Sequence, residues 1–280
     1  MRILFYTILF MVSVHNIQAQ IPNTEISKDA KFYAYWGWNR SSFSKSDIHF
    51  KGKNYDFTLY DIKAKDRQSE FSIEEYFGIQ HFTIPQYNMR LGYSISQKWD
   101  ISVGADHMKY VMIDNQTAVI DGKIAVDSVK YNGIYNHQNF NVKTDFLTFE
   151  HTDGLNYLNA AIRRRQQLIS YKKIVLSGFM GVGLGVLVPK SNVKLMANAR
   201  HDAFHLSGWG ADIVVGLKLN LGKYFFVQSE LKEGYINMPD ILTTYSKSDK
   251  ASQHFTFGQS NIVFGMNFSL RTYEKKAKLL

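Results

Sequence analysis

Hydrophobic residues recur at every second position through most of this chain and almost nowhere at helical spacing. Tyr87, Met89, Leu91, Tyr93 and Ile95 form one apolar face, while Asn88, Arg90, Gly92, Ser94 and Ser96 form the other. Trp99, Ile101, Val103 and Ala105 alternate with Asp100, Ser102, Gly104 and Asp106. The stripe Trp209, Ala211, Ile213, Val215, Leu217, Leu219, Leu221 persists over seven positions, against Gly208, Gly210, Asp212, Val214, Gly216, Lys218 and Asn220. Ile262, Phe264, Met266, Phe268 and Leu270 oppose Asn261, Val263, Gly265, Asn267 and Ser269. Weaker versions cover 32–40, 155–166, 174–188 and 224–232. Successive strand side chains point to opposite faces, so the pattern predicts eight strands.

The connections alternate as well. Short turns are expected around Gln97-Lys98, over 168–173 and at Gly222-Lys223, whereas 45–85, 113–153, 189–204 and 236–254 are long. Hydrocarbon offers a peptide group no hydrogen-bond partner, so strands can cross it only in a closed sheet. Short turns at one end and long loops at the other describe such a barrel. The expected fold is therefore all-β: an eight-stranded antiparallel up-and-down transmembrane β-barrel with long extracellular loops. A soluble sandwich or lipocalin-like barrel would turn its apolar face inward. Against it stand the seven-position stripe, longer than a usual soluble strand, and the Gly-rich opposing face. Trp36, Trp38, Tyr87, Tyr93, Trp99, Trp209 and Phe225 lie in or beside strand ends or apolar faces, as interfacial aromatics do.

The N-terminus changes the compartment. Met1-Arg2 carries a positive charge, Ile3–Val14 is apolar and uncharged, and Asn16-Ile17-Gln18-Ala19 ends on a small residue. That order is a secretory signal peptide cut before Gln20, with an apolar core too short to span a bilayer. The expected organisation is 1–19 signal peptide, 20–30 periplasmic segment, 31–270 barrel and 271–280 a basic periplasmic tail. Removing Arg2 from 33 basic residues leaves 32 against 24 acidic ones, a net charge of +8. The absence of cysteine excludes disulfide scaffolds, thiol enzymes and lipid-anchored cysteine. An aromatic content of 15% argues against disorder.

On strand count, loop asymmetry and the terminal Phe268-Ser269-Leu270, the chain resembles the small eight-stranded outer-membrane barrels of Gram-negative bacteria, those of the outer-membrane protein A and X kind and the lipid A deacylases. The Ala19-Gln20 cleavage style and the many Tyr, Asn and Lys look like a Bacteroidota protein. The resemblance covers about residues 31–270 and implies a place in the cell outer membrane, in contact with lipid and lipopolysaccharide. The tail after Arg271, with Lys275, Lys276 and Lys278, departs from barrels that end on the last strand's aromatic residue.

Eight strands enclose a space just wide enough for side chains. The inward positions include Arg90, Asp106, Arg163, Arg165, Asp212, Lys218, Glu230 and Lys232, five basic and three acidic. Water-excluded charges must be paired, so a structural plug is the first reading and a gated path for small solutes the alternative. No catalytic residue is assigned. The resemblance to lipid A deacylases supplies a runner-up, an esterase acting on lipid A through Ser207 and His205 on the lipid-facing side. Leu219 stands where that family's acid falls, and Gly208 where its Asn follows the Ser. His201, Asp202 and His205 have metal-like spacing only on a helix, and no metal or cofactor is expected. Asp106-His107-Met108-Lys109 reads as an interior Asp beside an interface His, and Gly181, Gly183 and Gly185 as small inward residues.

Lys45, Lys51, Lys53, Lys63, Lys65 and Lys190 are candidates for lipopolysaccharide phosphates or are simply solvated; nothing suggests nucleic acid. Within the long loops, 48–50 with 56–59 suggests a hairpin, Ser72 to Glu75 a capping box before a short helix, and Asp121-Gly122 a second hairpin turn. Asp127-Ser128-Val129 looks like a Bacteroidota O-glycosylation tripeptide. Structured loops at 45–85 and 113–153 suit a protein partner. The sequence thus predicts a structural or binding scaffold, within a larger envelope complex, rather than an enzyme.

Overall fold

The computed structural model describes residues 31–70, 72–78, 86–127, 129–196 and 201–269. The expected signal peptide, the segment 20–30, the basic tail and Ser128 of the tripeptide lie outside them. In chain order the first strands are β1 (Phe32–Phe43), β2 (Ser46–Gly52), β3 (Tyr55–Ile62) and β4 (Ala64–Asp66). A short helix α1 (Ile73–Phe77) precedes β5 (Tyr87–Ser94), β6 (Trp99–Met112), β7 (Gln116–Ile124) and β8 (Gly133–Val142). Then come β9 (Leu147–Tyr171), β10 (Ile174–Leu187), β11 (Lys190–Leu195) and β12 (His201–Phe204). The last three are β13 (Gly208–Leu221), β14 (Phe225–Leu242) and β15 (Lys250–Phe268).

Eight of these pair in the order β1, β5, β6, β9, β10, β13, β14, β15, and β15 returns to β1. The closing register runs from Phe32 opposite Phe268 to Phe43 opposite Phe257, antiparallel throughout. The eight periodic stretches are these eight strands. Their alternation turns Leu184, Leu231, Val103 and Ile262 outward at 55–67% exposure, while Asn261, Arg163, Glu230 and Asp106 point in. Gly181 and Gly183 give the interior room. A Cβ on Gly181 would stand 2.7 Å from Arg163 Cγ, and one on Gly183 only 2.4 Å from Asp212 Oδ2.

The strands run further than their periodicity indicates. β9 has 25 residues and β15 has 19, absorbing parts of the segments read as loops 113–153 and 236–254. The reason is an exchange of polarity between faces. Along β15 the inward positions Gln259 and Asn261 give way to Phe257 and Phe255, and along β6 Asp100, Ser102 and Asp106 give way to Met108, Tyr110 and Met112. β14 changes likewise from Glu230 and Lys232 to Ile236 and Met238, and β9 from Arg163 and Asn159 to Leu155 and Phe149. The changes on β6 and β9 fall side by side, since Met108 pairs with Leu155, and so do those on β14 and β15, since Ile236 pairs with Phe255. The barrel interior is mainly polar towards the short turns, where Tyr33, Tyr35, Phe226 and Val263 form a small buried group, and mainly apolar towards the long loops.

The long-loop segments fold over the upper level. β2 pairs with the top of β15, and β3, β7 and β8 continue the sheet in that order. Ile48, Phe50, Phe57, Leu59, Ile120 and Phe146 pack there against the strand tops, in one buried cluster we call the dome core. The hairpin expected at 48–59 is β2–β3, and the capping box holds α1, where Ser72 Oγ accepts the Glu75 N–H at 3.0 Å. Asp121-Gly122 is a correction. β7 continues through it, and the register shifts there against β8. Gly122 adopts φ +121°, and Asp121 Oδ1 accepts the His137 N–H. The positive φ that suits Asp-Gly to a turn serves a bulge instead, because β3 and β8 flank β7 on both sides.

Candidate functional site

The chemistry-bearing side chains converge inside the lower barrel. Arg163 on β9 and Glu230 on β14 meet across the lumen, Nη1 to Oε1 at 2.8 Å, with side chains 4% and 0% exposed. Tyr35 on β1 stands between them: its hydroxyl donates to Glu230 at 2.9 Å and accepts from Arg163 Nη2 and Arg90 Nε, each at 3.1 Å. Gln228 and Asn261 donate to Glu230 at 2.6 and 3.0 Å. Arg90 also reaches Ser102 at 3.1 Å and Asn159 at 2.5 Å. One level up, Lys232 pairs with Asp106 Oδ2, and Asn88 donates to Asp106 Oδ1 at 2.9 Å. Thus β1, β5, β6, β9, β14 and β15 are tied together through one network. In a low-dielectric interior such a network is tolerable because Arg163 and Lys232 are paired with carboxylates and Arg90 spends its donors on Tyr35, Ser102 and Asn159; Arg163 Nε makes no hydrogen bond among the described residues.

The other predicted positions sit at the edges of the network. Asp212 accepts the Tyr157 hydroxyl at 2.8 Å. Lys218 donates to Asn267 at 3.1 Å and lies 3.7 Å from the centre of the Phe226 ring, also near Tyr33. Arg165 is apart from the rest. It reaches Ser94 Oγ at 2.9 Å and the Gln97 carbonyl at 3.1 Å, at the mouth where the short turns lie. Its place on β9 is one step past the last lumen-filling layer.

The residue overlooked is Asp100, 5% exposed, which accepts the Tyr33 hydroxyl at 2.6 Å. Its signal was available: it shares a period-two face with Asp106 on β6. With Asp100 counted and Arg165 at the mouth, the buried charged residues among those described are Arg90, Arg163, Lys218 and Lys232 against Asp100, Asp106, Asp212 and Glu230. Four cations face four anions, which removes the net positive charge expected of the lumen.

The Ser207 and His205 arrangement is corrected. Both precede the start of β13, so strand alternation does not govern them. Ser207 is 1% exposed rather than turned to the outside, and its hydroxyl donates to the His205 backbone carbonyl at 3.3 Å. The His205 ring turns to Asp240 instead, Nε2 to Oδ2 at 3.1 Å, and Lys250 reaches the other Asp240 oxygen at 2.7 Å. These partners hold Asp240 below its ordinary pKa, the Lys250 hydrogen bond foremost. Among the described contacts the Ser207 hydroxyl bonds the His205 carbonyl and not its ring, so the hydroxyl-to-imidazole contact that a serine nucleophile needs is not made. His201 and Asp202 belong to β12, and their side chains lie outside the described ones. His107 stacks on Tyr87 with ring centres 4.9 Å apart.

The candidate lysines stand around the long-loop end. Lys45 faces Asp61 at 3.4 Å and Lys51 faces Asp56 at 3.9 Å, all four side chains at least half exposed. Lys53, Lys63 and Lys65 are exposed, and Lys190 lies over the Phe204 ring. The exposed pairs of Lys45 and Lys51 contribute little to stability.

No protein-family model and no curated protein matches the chain. Among solved structures it is similar to the outer membrane protein AlkL in lipid bilayers, at 10% identity over 88% of this chain and 94% of that one, with a TM-score of 0.42. It is similar to Neisserial surface protein A at 10% identity over 85% and 97%, TM-score 0.36. Outer membrane protein OprG from Pseudomonas aeruginosa aligns at 11% identity over 88% and 99%, TM-score 0.35.

Proposed function

We propose that this chain is an outer-membrane β-barrel whose lower storey is a closed stem and whose folded dome, outside the cell, is a structural or binding platform. The observation that carries the reading is the inside-out distribution of polarity. The lower barrel buries eight charged residues in its lumen and presents Leu184, Leu231, Val103 and Ile262 to its surroundings. A water-soluble protein rarely exposes a continuous apolar belt, and hydrocarbon accepts a sheet only when it is closed. At about 3.3 Å per residue the 19 residues of β15 reach roughly 60 Å along the strand, well beyond the ~30 Å of hydrocarbon even when tilted. The excess length carries the dome.

The even strand count puts both chain ends on the short-turn side, facing the periplasm after export by the N-terminal signal. The ammonium groups of Lys45, Lys51, Lys53, Lys63, Lys65 and Lys190 then face the outside, where lipopolysaccharide phosphates are their natural counter-ions. A protein partner would meet the dome through 45–85 and 113–153, where β8 ends the sheet and, among the described strands, pairs with β7 alone. This suits a subunit of an envelope complex. The test is migration of detergent-extracted protein on gels with and without heating. A faster unheated band in the membrane fraction is expected; recovery as a soluble periplasmic protein would overturn the proposal.

A further inference from the structure

Helix α1 is held against the outer wall of the barrel, not within the dome core. The Tyr76 ring lies 5.6 Å from that of Trp38. Trp38 in turn contacts Trp36 at 5.2 Å and Phe264 at 5.8 Å, side chains of β1 and β15 on the outward apolar face. Ile73 stands three residues before Tyr76, on the same side of the helix. It is nevertheless 75% exposed, at the level where the apolar belt ends. The helix is fixed there by its Ser72 cap and by the Tyr76 hydroxyl, which donates to the Ser69 carbonyl at 3.0 Å. An isolated five-residue helix does not persist in water by propensity alone, so its position against Trp38 is set by its caps and this contact.

We propose that α1 is an interfacial anchor: a loop helix that lies in the headgroup region of the outer leaflet and inserts Ile73 among the acyl chains. This rests on the membrane-barrel reading above. Its occupant is lipid because the helix continues the lipid-facing surface through Trp38, Trp36 and Phe264. Glu74 and Glu75 in its first turn complement the N-terminal helix charge. An amphipathic ring such as that of Tyr76 belongs at this depth.

The chain lacks cysteine, so single-cysteine variants take one nitroxide label each. Full-length Ile73→Cys, Leu184→Cys and Tyr245→Cys would be labelled in phosphatidylcholine vesicles, and collision with oxygen compared with collision with a water-soluble nickel chelate. Leu184 lies in the belt, and Tyr245 is 80% exposed on the β14–β15 loop. Ile73 is expected to favour oxygen by several-fold, as Leu184 does, with Tyr245 favouring the chelate. Adding Tyr76→Ala should move the Ile73 label towards the Tyr245 value and leave Leu184 unchanged. An Ile73 label that matches Tyr245 while Leu184 reads lipid would overturn the anchor alone. A Leu184 label that reads water would overturn the membrane barrel beneath it.

Discussion

The Arg163 guanidinium and the Glu230 carboxylate meet at 2.8 Å in the middle of the barrel, 67 residues apart in sequence and on strands that are not neighbours. Removing one partner leaves the other charge buried, a change that costs about 3–5 kcal/mol. Glu230→Gln is expected to lower the urea midpoint of vesicle-embedded protein accordingly. Arg163→Met with Glu230→Leu should recover part of the loss, because neither member of the pair is then left charged without the other, while Tyr35, Gln228 and Asn261 still lose their acceptor. A double variant no more stable than either single one would show that shape, not charge pairing, governs this layer.

A filled lumen with balanced charge should not conduct. Purified protein in planar bilayers is expected to show no stepwise current, and Lys232→Ala should leave the trace unchanged. Steady conductance whose ion selectivity shifts in Lys232→Ala would establish the small-solute path in its place.

Phe50 is fully buried in the dome and stacks on Phe57 at 5.2 Å. Phe50→Ala should cost the dome about 3–5 kcal/mol and open β2 and β3 to added protease. The lower barrel buries none of that surface, so heat-modifiable migration should persist. Loss of both together would mean that the two storeys fold as one unit.

His151 is wholly buried in the dome, hydrogen-bonded through Nδ1 to Ser191 Oγ at 2.8 Å. Tyr110 and Gln253 lie nearby, and burial pushes Tyr110 up to about 12, so it stays neutral. Desolvation lowers the His151 pKa to about 3, against 6.5 unperturbed. The folded state therefore rejects a proton that the unfolded dome accepts. Its contribution is full above pH 6.5 and is lost as pH falls from there towards 3, at about 1.4 kcal/mol per pH unit. Hydrogen exchange of β9 and β11 amides should accelerate over that range, and His151→Leu should flatten the dependence. An unchanged slope in the variant would assign it elsewhere.

Among the described residues the Ser207 hydroxyl makes one hydrogen bond, to the His205 carbonyl. Ser207→Ala should change stability by no more than about 1 kcal/mol and leave the acyl pattern of lipid A unaltered by mass spectrometry. A Ser207-dependent loss of an acyl chain would restore the esterase reading.

Period-two spacing determined the eight barrel strands and most of their lumen residues, because in a closed sheet the outward face must be apolar over the whole belt. Local sequence signals also located the β2–β3 hairpin and, through the capping-box spacing of Ser72 and Glu75, the α1 cap, whose interactions span only a few residues. The dome was beyond its reach. Alternation reports that two faces differ, not which one points inward, and in β15 the apolar residues pass from the outer face at Ile262 to the inner one at Phe257. That exchange has meaning only once β2, β3 and β7 fold over the strand tops. The partners of Glu230, the mouth position of Arg165 and the inward turn of Ser207 were likewise decided by the tertiary structure, since each depends on strand stagger and on contacts between residues far apart in sequence.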